Sequence, residues 1–147
     1  MHSPRFNSDE PVYGIGVAAE KFNVSVHTLR LYEAQGLILP HKTHSGRRLY
    51  SQADLDRIAC IRTLLEEKGL NIAGIRWLLA LIPCWKLLPC RPEDRSRCPA
   101  FTDNSRPCWM VEYKAPPCRD AECRDCHVYK SLSSCDNFKT YLKEYWK

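Results

Sequence analysis

Residues 24–50, VSVHTLRLYEAQGLILPHKTHSGRRLY, constrain this chain more than any other stretch. Ser25 stands where its hydroxyl can accept from the first unpaired backbone N–H groups of a helix. That helix is predicted from Val26 to about Gln35 and stops at Gly36, a residue that tolerates the left-handed conformation in which helices end. Val26, Leu29 and part of Tyr32 then face inward, while His27, Thr28, Arg30 and Glu33 face out. Beyond Pro40 a polar turn, His44-Ser45-Gly46, leads into Arg47, Arg48 and the strand-like Leu49-Tyr50. A short helix with an arginine and a tyrosine outward, followed by a basic hairpin, suits a DNA duplex. The helix enters the major groove and the hairpin holds phosphates.

TLRLYEAQGLILP followed by SGRRLY resembles the winged helix-turn-helix of MerR-family transcription regulators, worded close to T-I/L-R-x-Y-E-x-x-G-L and S-G-x-R-x-Y. The flanking VYGIGVAAEKF and GLNIAGIRWLLAL are most similar to the heat-shock-repressor branch of that family. The likeness covers roughly residues 12 to 82, and the second half does not resemble that branch. It implies a transcription regulator rather than an enzyme, a homodimer on double-stranded DNA bearing an inverted repeat, and RNA polymerase as a further partner. Carried onto matching positions, it places His27, Thr28 and Arg30 toward bases or phosphates and Tyr32 on a phosphate. Arg47 and Arg48 would grip the backbone from the wing, with Tyr50 packing behind. The family's tyrosine before the wing arginine is Arg47 here, so that contact changes in kind. Whether the protein activates or represses is not written in these residues.

The rest of this half reads as support. Residues 1–11 are a flexible leader, and a short helix is predicted from Val17 to Phe22, where Ala18 and Ala19 allow a close helix crossing. Asn23 and Val24 make the turn. Ser51 and Asp54 form a capping-box pair ahead of Leu55, Ile58, Ile61 and Leu65, a helical core stripe that ends at Gly69. Asn71 caps another helix with Ile72, Ile75, Leu78, Leu79 and Ile82 on one face, closed by Pro83. Cys60 reads as a packed or solvent-facing free thiol. The family ordinarily continues into a long pairing helix, but from Pro83 to Pro117 prolines recur and no helical period is sustained, so a coiled-coil arm is not expected. The next candidate helix is Cys135 to Lys147. Its Phe138, Tyr141, Leu142, Tyr145 and Trp146 share a face that would pack on the cysteine region or on a second subunit.

The net charge of +5 is spread over both halves and gives only mild support for an anionic partner. No apolar run reaches the roughly 18 residues a membrane span needs, and the N-terminus has no signal-peptide core. The expectation is a cytoplasmic protein with no membrane partner, where clustered thiols more often bind metal or do redox chemistry than form disulfides.

Cysteines 84, 90, 98, 108, 118, 123, 126 and 135 crowd the second half. CWKLLPC, RCPAF, RPCWM and CRDC with Val128-Tyr129 resemble a small bacterial module bearing two Cys-Trp motifs, whose chemistry the likeness does not supply. Long aliphatics are few here, so a metal or disulfides are expected to hold the region together. Cys118-x4-Cys123-x2-Cys126 reproduces the first three spacings of a plant-type ferredoxin cluster, while Cys-x2-Cys equally suits one knuckle of a zinc site. His127 is a ligand or merely a neighbour. Trp85 and Trp109 shield a cluster or simply pack, and both roles can hold at once. Disulfides without metal, and a thiol–disulfide enzyme using Cys123 and Cys126, remain open. The latter lacks the strand-to-helix setting it needs.

The fold class expected is mainly α: a winged helix-turn-helix domain at residues 12–82, then a small cysteine-rich metal-binding domain at 83–147 with a C-terminal helix. The function expected is a DNA-binding transcription regulator that senses a redox or small-molecule signal through a cysteine-ligated iron–sulfur cluster. All of Cys84, Cys90, Cys98, Cys108, Cys118, Cys123, Cys126 and Cys135 are candidate ligands. The alternatives are a repressor over a structural zinc domain, or an iron–sulfur redox protein with a winged-helix tether.

Overall fold

The computed structural model describes residues 7–116, 118–131, 139, 143 and 144. Side-chain caps cut the first half into helices where the local chemistry dictates. Helix α1 (Ile15–Lys21) gives way to Asn23 in the left-handed region, φ 52°. Helix α2 (Val26–Ala34) starts where Ser25 Oγ accepts from the Thr28 amide at 3.1 Å. It stops at Gly36, φ 77°, where the Gly36 amide donates to Glu33 O at 3.0 Å and the Leu37 amide to Tyr32 O at 2.9 Å. This pair of bonds is a Schellman ending. Helix α3 (Gln52–Glu66) carries a complete capping box: Asp54 N–H donates to Ser51 Oγ at 3.1 Å, and Ser51 N–H to Asp54 Oδ2 at 2.8 Å. Asn71 Oδ1, accepting from the Gly74 amide at 2.8 Å, caps α4 (Ile72–Ala80).

Three short antiparallel strands join the helices: β1 (Tyr13–Gly14), β2 (His41–Lys42) and β3 (Arg48–Tyr50), in the order β1-β3-β2. His41 pairs with Leu49 and Lys42 with Arg48, which makes the β2–β3 hairpin the wing. Strand β1, which no sequence signal marked, pairs Tyr13 with Tyr50 and so pins the chain entering α1 to the wing.

Between α4 and Ser131 the described residues form single turns: α5 (Cys84–Leu87), α6 (Pro92–Arg95), α7 (Pro99–Thr102), 3-10 turns at Cys108–Met110 and Cys123–Asp125, and α8 (His127–Lys130). Pro92 and Pro99 open their turns at the position where a missing N–H costs nothing. Among the described residues no helix exceeds the 15 residues of α3, and none is long and apolar enough to cross a membrane. The helix expected from Cys135 to Lys147, and Cys135 with it, lies outside the described residues save for Lys139, Lys143 and Glu144.

One hydrophobic cluster runs through both halves. It joins Leu29, Tyr32, Leu37, Ile38, Ile58 and Ile75 to Trp109, Val128 and Tyr129. Cys60, expected as a free thiol, is instead buried and disulfide-bonded.

Candidate functional site

Helix α2 presents His27 and Arg30 to solvent, and the wing presents Lys42, His44 and Arg47. The other residues expected on DNA are placed differently. Thr28 is half-buried, its hydroxyl 3.0 Å from that of Ser25 at the helix cap. Arg48 is half-buried, and its Nε donates to both carboxylate oxygens of Glu33 at 2.8 and 2.9 Å. Glu33 holds the Arg48 guanidinium above its ordinary pKa, through that hydrogen bond first and through charge second. The pair ties β3 to α2, so recognition helix and wing present one surface; Glu33 itself, expected to face out, is spent on this tie.

One of the two tyrosines needs correction. Tyr32, expected on a phosphate, is 2% exposed, and its hydroxyl accepts from Arg62 Nη1 at 3.3 Å. Its ring completes the inner face of α2 beside Leu29 rather than pointing outward. Tyr50 is 0% exposed, packs behind the wing as expected, and cannot itself touch DNA. Burial, reinforced by the Glu33 charge, pushes its hydroxyl up to about 12. That hydroxyl has no hydrogen-bond partner among the described residues.

The second half builds a different site. Cys84, Cys90, Cys98, Cys108, Cys118, Cys123 and Cys126 all line one apolar-walled cavity, whose empty volume, counting its mouth, is about 620 Å³. The prolines help to make this possible, by breaking the chain into short turns and loops from which these thiols reach one space. Trp85, in edge contact with Phe101 at 5.1 Å, and Trp109, in edge contact with Tyr129 at 5.1 Å, form part of the wall. So the tryptophans of both Cys-Trp pairs pack in this wall. His127 is exposed and outside the wall.

Burial first, then the neighbouring thiols, push Cys84 and Cys118 up to about 11 and Cys108 higher still. These three thiols therefore hold their protons unless something positive compensates the loss. Two cations line the cavity, Arg95, whose charge acts on Cys90, and Lys114, whose Nζ lies 3.1 Å from Cys123 Sγ. Among the described residues, no three Cys, His, Asp or Glu side chains converge closely enough to share a single metal ion. A lone zinc at ~2.3 Å from each sulfur needs its thiolates within about 4 Å of one another. The donor chemistry of the lining suits a soft metal.

Between the two sites runs a polar seam that sequence reasoning missed. Arg57 on α3 is 3% exposed, donates to Leu37 O at 2.8 Å and to Tyr129 O at 2.7 Å, and lies 3.9 Å from the Tyr129 ring centroid. Trp109 Nε1 donates to Gly36 O at 2.7 Å, and the Leu39 amide donates to Tyr129 Oη at 2.8 Å. Arg124 donates to Leu39 O at 2.5 Å and to Asp54 Oδ2 at 2.7 Å.

Comparison with known proteins bears on the first site. The model of the MerR HTH family regulatory protein matches residues 13–81. The chain is 37% identical over 73 residues to the putative heat shock protein HspR of Streptomyces coelicolor, covering 50% of this chain and 48% of that protein. It is 37% identical over 71 residues to the HTH-type transcriptional regulator GlnR of Bacillus cereus, covering 48% and 54%. Against the mercuric resistance operon regulatory protein of Bacillus cereus it is 38% identical over 71 residues, covering 48% and 53%. The chain thus spans about half the length of these relatives.

Proposed function

We propose that this chain, whose residues 13–81 are a MerR-family helix-turn-helix domain, is a DNA-binding transcription regulator that answers to a signal received at its C-terminal cysteines. The observation that carries the DNA reading is the joined surface of α2 and wing. Exposed His27, Arg30 and Arg47 flank the Arg48–Glu33 tie that holds helix and hairpin in register. His27 and Arg30 are assigned to the major groove, and Arg47 with Lys42 to phosphates, while Tyr32 and Tyr50 serve as packing. The protein acts as a cytoplasmic homodimer on an inverted repeat, with RNA polymerase as the downstream partner. Each half-site is then read by one α2.

The signal reading rests on seven thiols facing one apolar cavity. Four of them, from Cys84, Cys90, Cys98, Cys108, Cys118, Cys123 and Cys126, hold an iron–sulfur cluster, a group whose oxidation state or integrity can change reversibly. The wall is largely apolar, and Lys114 stands beside Cys123. A structural zinc site is the second reading, favoured by the Cys123-x2-Cys126 knuckle.

The test begins with protein purified without oxygen. Stoichiometric iron and sulfide with visible absorption support the cluster; a colourless protein holding zinc replaces it with the second reading. For DNA, binding to genomic fragments is measured against salt. Sequence-selective shifts that weaken as salt rises support the regulator, and binding with no sequence preference rejects it.

A further inference from the structure

We infer that the thiol cavity and the joint between recognition helix and wing form one mechanical unit, so that loading the cysteines changes the hold on residues Gly36–Leu39. This rests on the reading above that the cysteines take a metal group. Gly36–Leu39 is the connection between α2 and the wing; α2 and Arg57 hold Gly36 and Leu37 from the first half, and the cysteine half holds its two ends. Trp109 binds the carbonyl of Gly36, Tyr129 the amide of Leu39, and Arg124 the carbonyl of Leu39. Met110 presses so close to Gly36 that a Cβ there would lie 2.5 Å from its Cγ.

Each gripping residue is bound to the cavity by the chain itself. Trp109 and Met110 follow Cys108 in one 3-10 turn; Arg124 follows Cys123 in another; Tyr129 lies one helical turn beyond Cys126. Trp109 and Tyr129 also line the cavity, so its wall and the grip share side chains. Neither 3-10 turn has slack: Val111 N–H bonds back to Cys108 O at 3.2 Å and Cys126 N–H to Cys123 O at 3.1 Å. Metal binding that draws Cys108 or Cys123 inward is carried by the backbone of its short turn to Trp109 and Arg124. The grip on Gly36 and Leu39 then changes, and with it the angle between α2 and the wing. A change of the same sign must run backwards, because coupling between two sites is reciprocal.

Hydrogen–deuterium exchange on the full chain tests this without DNA. Peptides covering 36–39 are compared in reduced, chelated protein and in protein loaded with ferrous iron and sulfide under argon, with a zinc-loaded sample alongside. Loading is expected to change exchange there by ~5-fold or more, a local opening effect well below global unfolding. Arg124→Gln, which leaves every cysteine in place, is expected to load the same iron yet shrink that change to ~2-fold or less. If Arg124→Gln does not fold, Arg124→Lys, which keeps the charge on Asp54 but cannot serve both acceptors, is read in the same way. Metal bound with exchange at 36–39 unchanged overturns the inference and leaves the cofactor reading standing. A full change retained in the Arg124 variant overturns it too. Protein that retains neither iron nor zinc removes the cofactor reading, and the inference with it.

Discussion

Gly36 answers two separate demands at one position. Its φ of 77° ends α2, and Met110 occupies the space a side chain would need. Gly36→Ala is expected to cost roughly 2–3 kcal/mol in urea unfolding, part backbone strain and part overlap with Met110. Adding Met110→Ala should return only the overlap share, and full recovery would show that backbone strain is absent. Tyr50 offers a second residue-scale test, since its hydroxyl is buried and unpartnered among the described residues. Tyr50→Phe should leave stability at pH 7 unchanged or higher, because no hydrogen bond is lost and an unsatisfied group is removed. Its raised pKa also sets a pH dependence. The folded form keeps its proton to about 12 while the unfolded chain releases it near 10, so stability is full below pH 10 and falls between pH 10 and 12. In that window Tyr50→Phe should unfold with a shallower pH slope than the parent; equal slopes would mean the hydroxyl reaches water. The left-handed stop at Gly36 was legible from sequence, because helix endings are a local matter. Met110 was not, since nothing in its neighbourhood indicates a partner 74 residues away.

At the scale of elements, caps were the most readable feature. Ser25, the Ser51–Asp54 box and Asn71 all act as their sequence context predicts, each within three residues of its partner. The same Asp54 has a second role that local pattern could not reveal: it pairs with Arg124 from the far half, and both are largely buried. Ser51→Ala removes the cap and a long contact from Arg124 Nη2, 3.5 Å, and should cost about 1 kcal/mol. Asp54→Asn leaves Arg124 buried without its counter-charge and should cost about 3 kcal/mol or more. In a double-mutant cycle of Asp54→Asn with Arg124→Gln, a coupling energy of about 1–3 kcal/mol is expected. Additive losses would show that the pair is idle and that α3 is joined to the cysteine half by apolar contact alone. Arg57 shows why such seams escape sequence reading. It lies beside the stripe of Leu55, Ile58 and Ile61, where an arginine reads as solvent-facing, yet the C-terminal half covers it.

For the whole molecule, the question is whether two halves of such different composition fold separately. The composition change near residue 83 argues for a boundary, but the core passes through it: Trp109, Val128 and Tyr129 belong to the cluster that holds α2, α3 and α4. The cysteine half has little else to pack upon, having few long aliphatics of its own. The winged unit, in turn, has Leu37 and Ile38 fully buried at the joint that the cysteine half grips. We therefore expect the full chain to unfold in a single transition by both circular dichroism and tryptophan fluorescence, the latter reporting chiefly on Trp85 and Trp109 in the cavity wall. A fragment of residues 1–82 should melt more than ~10 °C lower than the full chain, because it loses the cover of its joint and several kcal/mol with it. Independent halves predict the opposite: two transitions, with the fragment matching one of them. Metal loading separates the cases further. With a shared core, loading the cysteines must raise the melting of α2 and α3 along with the cavity, since whatever binds only the folded state stabilises all that folds with it. A loaded protein whose far-ultraviolet transition stays put would confine the cysteines' influence to their own half.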